Sequence, residues 1–347
     1  MNDADSGKAR DCMRRIQEEG LEWKDIFLGL WRTRLAPLFY FKGKEFDLLG
    51  GLPEETAYVL YESFRANQIR NFLYQRELSR IVGIFCERGI DVAVLKGALF
   101  ILRNIHGHSG ARVMNDIDLL VAPQNRAETR RILAGSGYRL FEAEDRHDSF
   151  LDAGGRVTAE IHYSLFGAYL ERDEASALNR RCWERKVRLA GCPDRAFALS
   201  PADTLFFHIY HAFAHHIAWI YDSLPTYIDF IALSRNLEDG CLEDVLQEAS
   251  RCGLEPFFTS FLHILEQKTG WKAIPGMQLS GRMKSSLDRF IAAETFRPQL
   301  HGVHARRLVL CGFGRDISVR IGLLRHMAAM DCADLLRKLQ KGSRSLC

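Results

Sequence analysis

The sequence lacks most of the short motifs that identify common classes of enzyme. Its nine cysteines include no C-x-x-C pair, which excludes a zinc ribbon and fits reduced thiols better than a disulfide framework. It contains no G-x-G-x-x-G and no G-x-x-x-x-G-K-[ST] segment, so a Rossmann dinucleotide site and a P-loop are excluded. There is also no H-E-x-x-H motif and no run of about 18 apolar residues.

The composition is that of an ordinary globular protein. The 347 residues are 47% hydrophobic and 26% charged, with length for about two or three domains. The net charge of +3 is too close to zero to indicate general nucleic-acid binding. Residues 1–6 are polar and show no apolar core of a signal peptide. We therefore expect a cytoplasmic protein without a membrane partner.

The stretch Asn115–Val121 places two carboxylates two residues apart within an apolar, β-favouring run. In a strand, side chains i and i+2 share a face, so Asp116 and Asp118 point the same way. Ile117 and Leu119 then point into a core. Two like charges held side by side repel each other, and a divalent cation that prefers hard oxygen ligands is the usual compensation. The pair is a candidate metal site, although an isolated triplet of this kind is more often a solvated edge or the entry to a loop.

A predicted strand at Ile90–Leu95 turns into a predicted helix at Lys96 and Gly97. Free backbone N–H groups at a helix start, the helix dipole and a lysine at the turn form a phosphate cradle. Gly97 also has no Cβ to block close approach. Taken alone, a Lys-Gly pair at a strand end is more often a plain turn.

A third carboxylate follows on the segment Arg156–Tyr163, which alternates in the same way. Thr158, Glu160 and His162 fall on one face of this predicted strand, and the apolar residues between them fall on the other. A neighbouring strand thus makes Glu160 available to the acidic pair.

The segment between the two acidic strands predicts a helix and one further strand. The helix ends at the glycines of 135–137, Tyr138–Glu142 returns as a strand, and Gly154 and Gly155 predict a hairpin turn. The predicted order is strand, helix, strand, helix, strand, strand. The helix residues predicted to face inward are Ala127, Ile132 and Leu133.

Residues 8–88 are predicted to be helical throughout, with a long helix from about Pro53 to Arg88 that Gly89 ends. Such a leader is a lid, an acceptor platform or a set of helices packed against the sheet, and packing is the role expected of most of its residues. Several apolar residues recur at helical spacing and are predicted to be core: Trp23, Ile26, Phe27, Leu30 and Trp31.

Over about residues 20 to 240, these segments resemble the bacterial uncharacterised nucleotidyltransferase family of the DNA polymerase β-like superfamily. Many superfamily members have serine after the glycine of the first turn; this chain has Ala98, and Lys96 is assigned as the substitute. The segments that carry the resemblance are Leu95-Lys96-Gly97, Arg112 with Asn115–Val121, Gly137-Tyr138, Glu160-Ile161-His162, Asn67–Asn71, Leu199–Asp203 and Asp229.

The resemblance implies an α+β fold. A small mixed β-sheet nucleotidyltransferase core is expected at residues 89–170. An N-terminal helical region, residues 1–88, and a C-terminal helical domain, residues 171–347, would flank it.

The resemblance also implies a division of roles within the site. Asp116, Asp118 and Glu160 are expected to be catalytic and to hold Mg²⁺ or Mn²⁺. The substrate is expected to be an NTP, with ATP as the first candidate. No pattern in the sequence identifies the base, the oligomeric state or the acceptor, which can be a small molecule, a sugar phosphate, a peptide or an RNA end. The residues expected to bind the nucleotide are Lys96, Gly97, Arg112 and His162.

A histidine-rich helix is predicted in the C-terminal region. His208, His211 and His215 lie on one arc at i, i+3 and i+7, with His216 beside them. Imidazoles grouped in this way can bind a transition metal, but packing between aromatic neighbours is the more common role. The resemblance adds a third role, contact of a histidine with substrate phosphates. Asp229 would cap or pair with this helix.

The tail from His301 to Cys347 has nine Arg and Lys residues against three acidic residues. Such a bias usually marks a solvated helix face, and less often it guides an anionic acceptor such as RNA or a phosphorylated metabolite.

Two functions from different classes therefore stand after the sequence is considered. In the first, the protein is a Mg²⁺-dependent nucleotidyltransferase. In the second, the same fold is a nucleotide-sensing or partner-binding module with little or no turnover. Three converging carboxylates favour the enzyme, because a binding module has no physical need for them.

Overall fold

The computed structural model describes residues 3–167, 170, 172–212, 224–235, 237–238 and 240–271. The chain divides into two compact units. The first comprises residues 3–164 and 186–199, and the second comprises residues 165–185 and the described residues from 200 onward. His215, His216 and the basic tail lie outside the described residues. Within the described ranges, no helix combines the length and the apolar content that a membrane span requires.

Helices precede the sheet in the first unit, as predicted: α1 (Asp3–Glu18), α2 (Trp23–Arg32), α3 (Ala36–Glu45) and α4 (Glu54–Glu87). The 34 residues of α4 span about 50 Å at the usual rise per residue. Gly89 adopts a φ of +72° just after it, and the Ile90 N–H donates to the Phe85 carbonyl over 2.9 Å. This left-handed residue satisfies the last carbonyls of the helix and turns the chain into the sheet.

The prediction that the aromatic residues of α2 belong to the core is wrong. No residue of α2 is buried, and Trp31 is 63% exposed. The helix does have an apolar side, but Trp23, Ile26, Phe27 and Leu30 are only half-buried. Helical spacing identifies an apolar side of a helix, but it does not show how completely another element covers that side.

A mixed sheet follows, and it confirms the α+β fold class. Its strands, with the two α-helices that lie between β1 and β3, are β1 (Val92–Val94), α5 (Lys96–Leu102), β2 (Ile117–Val121), α6 (Arg126–Gly135), β3 (Arg139–Ala143), β4 (His147–Leu151), β5 (Thr158–His162), β6 (Val187–Arg188) and β7 (Ala196–Ala198). In the described residues the strand order is β3-β4-β5-β2-β1-β7-β6.

The central strands are the ones that matter for the site. β2 pairs antiparallel with β1 on one side and parallel with β5 on the other. All residues of β2 are buried, whereas β5 alternates between buried apolar and half-buried polar residues. The alternation predicted for Thr158, Glu160 and His162 is thus confirmed.

Three details of the sheet and its helices differ from the prediction. β4 was not predicted, because His147–Leu151 is polar at its centre and Asp148 is fully buried. The chain after residue 171 is not helical throughout, since β6 and β7 return to the sheet and β7 lies parallel to β1. In α6, Ile132 and Leu133 are buried as predicted and Thr129 is buried with them, while Ala127 is exposed.

The buried Asp148 carboxylate explains why a polar strand is stable inside this sheet. Arg130 Nε and Nη2 each donate to it over 2.7 Å, Arg126 Nη2 donates over 2.6 Å, and the Tyr163 hydroxyl donates over 3.0 Å. Burial acts to raise the pKa of Asp148, but these donors outweigh it and hold the pKa at about 2. The carboxylate therefore stays charged, and it ties α6 to β4 and to the end of β5.

The second unit is helical over its described residues: α7 (Arg172–Glu184), α8 (Pro201–Ala212), α9 (Leu224–Ser234), α10 (Cys241–Arg251) and α11 (Glu255–Thr269). Its core is aromatic, with the rings of Phe206 and Phe258 4.7 Å apart. Ser200 caps α8 by accepting from the Asp203 N–H over 3.1 Å. The buried Asp203 carboxylate in turn accepts from Arg185, the residue after α7.

Candidate active site

The parallel pairing of β2 and β5 places Asp118 directly opposite Glu160. In a parallel pair, residues at matched positions project from the same face of the sheet, so the two carboxylates are neighbours. β1 fixes the other side of β2, where the Leu95 N–H donates to the Asp118 carbonyl over 3.0 Å. The chain passes from Leu95 directly into α5, so the start of that helix lies beside Asp118 and Glu160.

The Asp118 carboxylate contacts two other side chains of the site, Lys96 and His162. Its Oδ1 atom accepts from Lys96 Nζ over 2.8 Å and lies 2.8 Å from His162 Nε2. The same His162 nitrogen is 3.7 Å from Glu160 Oε2. Asp118 is only 2% exposed, so these partners replace the water that its charge would otherwise require.

The pKa values of the two carboxyl groups, Asp118 and Glu160, are shifted in opposite directions. Burial opposes the charge of Asp118, but Lys96 and His162 overcome it and hold the pKa of this carboxyl far below its usual value. Burial and the nearby Asp118 raise the pKa of Glu160 to about 7. Burial lowers the pKa of His162 to about 4, so the imidazole is neutral near pH 7. One charged and one readily protonated carboxyl thus stand side by side.

Asp116 occupies a different position from the one the strand pattern predicts. It precedes β2, which begins at Ile117, and it is half-buried. Burial and Asp118 raise its pKa to about 6, while Lys96, Arg112 and Arg34 oppose the rise. The charges of Asp118 and Lys96 therefore act on Asp116, which lies in the segment that leads into β2.

Within the described residues, Asp118, Glu160 and His162 form a group of side chains that can hold a metal ion. One ligand atom from each of them lies within 4.8 Å of the others. Carboxylate oxygens are the ligands that Mg²⁺ and Mn²⁺ prefer, so Asp118 and Glu160 fit such an ion. Asp116 stands outside this group, and the structure brings together only two of the three carboxylates predicted as ligands.

The turn at Lys96 and Gly97 is tightly packed. Lys96 has a φ of +43°, an unusual conformation for a residue with a side chain, and it lies where α5 begins. A Cβ on Gly97 would lie 2.5 Å from Arg112 Nη1 and 3.4 Å from Met114 Cγ. Glycine lets the Arg112 guanidinium lie directly over the first turn of α5, and a larger residue would displace the end of that side chain. The structure thus groups Lys96, Gly97 and Arg112 beside Asp118.

A set of α4 side chains holds the segment before β2, and the sequence did not reveal this role. The Asn67 amide donates to the Gly110 and Arg112 carbonyls over 2.8 and 2.9 Å. Asn71 donates to the Ser109 and Arg112 carbonyls, and the Tyr74 hydroxyl donates to the Asn115 carbonyl over 2.7 Å. We call Asn67, Asn71 and Tyr74 the α4 clamp. Their spacing of four and three residues on one helix face was the available signal.

Two of the predicted histidines lie in the described part of the second unit. His208 Nε2 is 2.9 Å from the Thr226 carbonyl, and the His211 ring packs against Phe207 with centroids 5.8 Å apart. These contacts are those of packed, hydrogen-bonded histidines. Among the described residues, neither belongs to the group of candidate metal ligands.

Comparison with known proteins gives a family and two distant structures. No curated protein matches the sequence. The solution structure of the antibiotic-resistance factor ANT(2'')-Ia is 15% identical with a TM-score of 0.37, and it covers 58% of this chain and 98% of that chain. The crystal structure of ANT(2'')-Ia with adenylyl-2''-tobramycin is 16% identical with a TM-score of 0.38, covering 52% and 98%. A family model described as uncharacterised nucleotidyltransferase matches residues 19–270, well over half of the sequence, and the chain belongs to that family.

Proposed function

We propose that this protein transfers a nucleoside monophosphate from an NTP, with ATP as the expected donor, to an acceptor hydroxyl. The observation that supports this most is the pairing of Asp118 with Glu160 across parallel strands, beside Lys96 at the start of α5. A charged carboxylate, a second carboxyl group and a cationic helix start then converge on one face of the sheet. Phosphoryl-group chemistry needs this combination, because its catalysis is mostly positioning and charge neutralisation.

In this proposal Asp116, Asp118 and Glu160 hold a Mg²⁺ or Mn²⁺ ion. When bound, such an ion neutralises charge on the phosphates and orients the reacting oxygens. The short distances within the Asp118, Glu160 and His162 group support the fit of the donor atoms. His162 holds the Asp118 carboxylate at 2.8 Å, which fixes the direction of its oxygens.

The remaining residues have roles that follow from their positions. The Lys96 ammonium, the Gly97 N–H and the Arg112 guanidinium would bind the β- and γ-phosphates, with His162 also on the nucleotide side. Glu160 would accept the proton of the acceptor hydroxyl. The acceptor oxygen then forms a bond to the α-phosphorus, the bond to the β-phosphate oxygen breaks, and pyrophosphate leaves.

The position of the label in the product tests this reaction. The protein is incubated with Mg²⁺ or Mn²⁺, α-labelled or γ-labelled ATP, and a panel of acceptors. We expect α-label in a product, or in the protein itself if a side chain serves as acceptor, and γ-label only in pyrophosphate. Transfer of γ-label to an acceptor would contradict the proposal and indicate a kinase-like reaction.

The alternative, a nucleotide-sensing or partner-binding module, also has one observation in its favour. Lys96 and His162 both contact the same Asp118 oxygen, and these contacts alone balance its charge. A module that binds but does not turn over would show an increased melting temperature with millimolar Mg²⁺ and ATP. It would transfer neither label and release no pyrophosphate.

We also propose that the protein works in the cytoplasm. Six cysteines lie in the described residues, and all six are free thiols. Free thiols are typical of a reducing compartment.

A further inference from the structure

A cavity of about 730 Å³ lies among α2, α3, α4 and the segment that leads into β2. Phe27 and Trp31 form one apolar wall, and Pro37 of α3 continues it. A cavity of this volume is the usual size for a small-molecule site. The exposed Trp31 that α2 leaves uncovered therefore faces a space that a planar or apolar ligand group can fill.

The charge of the cavity is positive. Arg32, Arg34 and Arg70 line it together with a single acidic residue, Glu62. Glu62 is already within 3.9 Å of Arg65. In the part of the chain that the structure describes, Arg32 and Arg34 form no ion pair. The cavity thus offers guanidinium groups to a ligand and disfavours a cationic one.

Arg34 lies in the cavity at an energetic cost to the fold. Its N–H donates to the Trp31 carbonyl over 3.0 Å, and the Leu35 N–H donates to the Leu30 carbonyl over 2.7 Å. This pair of hydrogen bonds defines a Schellman motif, in which the residue after the helix cap is left-handed and usually glycine. Arg34 has a φ of +59° at that position. A long charged side chain at a glycine site is an outlier that points to a role for the side chain.

The cavity borders the active site without overlapping the proposed phosphate site. Asn115, the residue before Asp116, lines it, and Arg70 Nη2 donates to Asn115 Oδ1 over 2.8 Å. Of the described residues that form its wall, none is Lys96, Gly97 or Arg112. An in-line displacement requires the acceptor to approach the α-phosphorus from the side opposite the leaving pyrophosphate. A second site that touches the acidic segment but not the phosphate cradle leaves room for the two substrates to bind on different sides of the proposed α-phosphorus position.

We infer that this cavity is the acceptor site, and that the acceptor is a small molecule with an anionic group, a phosphate or a carboxylate, next to a planar or apolar part. Arg34 and Arg70 bind the anion, and Phe27 and Trp31 contact the apolar part. The assignment of the ligand as acceptor rests on the proposed nucleotidyl transfer. The presence of an anion site at Arg34 does not depend on nucleotidyl transfer.

Calorimetric titration of the full chain tests this inference with simple probes. Phenyl phosphate carries a phosphate group on a phenyl ring, and benzoate carries a carboxylate on a phenyl ring. Benzyl alcohol is the uncharged comparison. Each is titrated with and without saturating Mg²⁺ and α,β-methylene-ATP. We expect at least one anion to bind in both conditions, and benzyl alcohol to bind at least tenfold more weakly.

Three variants locate the binding. Arg34→Gly and Arg70→Gln should each weaken the anion at least tenfold and should weaken the ATP analogue by a smaller factor than the anion. Arg34→Gly should also keep or raise the melting temperature, because glycine suits the left-handed φ. Arg76→Gln, an exposed position on α4 outside the cavity wall, is the matched control and should bind the anion like the wild type.

The outcomes separate this inference from the proposed function. If neither phenyl phosphate nor benzoate binds, or if Arg34→Gly binds the anion as tightly as the wild type does, the cavity contains no anion site at Arg34. If the ATP analogue competes with the anion and both weaken in Arg34→Gly, the cavity belongs to the nucleotide and the acceptor assignment is wrong. If the anion binds through Arg34 but the ATP analogue does not bind at all, nucleotidyl transfer fails while the anion site stands.

Discussion

The Asn71 side-chain amide donates to the Arg112 main-chain carbonyl over 2.7 Å, although 41 residues separate them. Asn71 is fully buried in α4, and Arg112 begins the segment that carries Asn115 and Asp116 towards β2. The leader therefore does more than cover the sheet. The side chains of α4 also determine where the acidic segment starts.

We expect Asn71→Ala to lower both stability and activity. The substitution leaves the Ser109 carbonyl without its amide donor and leaves the Arg112 carbonyl with only the Asn67 amide, and an unsatisfied buried group costs about 1–3 kcal/mol. Urea denaturation should show a loss of that size, and initial rates should show kcat reduced at least tenfold. Gln68→Ala, which removes an exposed amide from the same helix, is the control. Equal effects of the two substitutions would show that the clamp has no special role.

We expect Asp116→Asn to abolish Mg²⁺-dependent transfer while the melting temperature holds or rises. The variant loses a carboxylate from the proposed metal site, yet it also removes a half-buried charge that Asp118 repels. Activity should fall at least a hundredfold in the label-transfer assay, with unchanged circular dichroism. Asp145→Asn, at an exposed position before β4, should retain full activity. Near wild-type turnover in Asp116→Asn would remove this residue from the site.

Lys96→Met should impair nucleotide use, and it should also lower the melting temperature because the buried Asp118 loses its ion pair. The lysine acts as a point charge towards the phosphates, so its loss should raise the KM for ATP or lower kcat at least tenfold, about 1.4 kcal/mol. The exposed Lys44→Met is the matched control and should change neither constant. Unchanged kinetics of Lys96→Met would leave Lys96 only its structural role, the ion pair with Asp118.

The buried Asp148 should make stability depend on pH in the acidic range. Its pKa is held below the usual 3.8, at about 2, so the charged form stabilises the fold above pH 4 and this contribution disappears as pH falls towards 2. The shift corresponds to about 2 kcal/mol. The difference in unfolding free energy between wild type and Asp148→Asn should therefore be larger at pH 6 than at pH 3 by about 1 kcal/mol, roughly half of the full shift, because pH 3 lies between the folded and unfolded pKa values. A difference that does not change with pH would contradict this account.

The sequence predicted those parts of the fold that depend on short-range patterns. The alternation around Glu160 and His162, the turn at Gly97 and the helical leader all depend on neighbours a few residues apart. Periodicity fixes which way such side chains point, so the approach of Asp118 to Glu160 could be anticipated once two strands were predicted.

The features that were missed depend on distant partners. Asp148 looks unsuited to a buried strand until Arg126 and Arg130 surround it, and those arginines lie 22 and 18 residues earlier in a different element. The amides of Asn67 and Asn71 are ordinary polar residues of a helix until their acceptor carbonyls are known. Exposure of Trp31 likewise depends on what packs nearby, which no local pattern records.

The order of the strands also has a consequence for how this protein is made. Val92 of β1 pairs with Ala196 of β7, so one backbone edge of β1 has no strand partner until the chain has grown about a hundred residues further. At ribosomal speeds of about 5–20 residues per second, that edge stays open on the nascent chain for roughly 5–20 seconds. An open edge invites pairing with other chains. A fragment that stops at residue 170 keeps this edge permanently, so a sheet with both neighbours of β1 in place requires the chain through β7, which ends at Ala198.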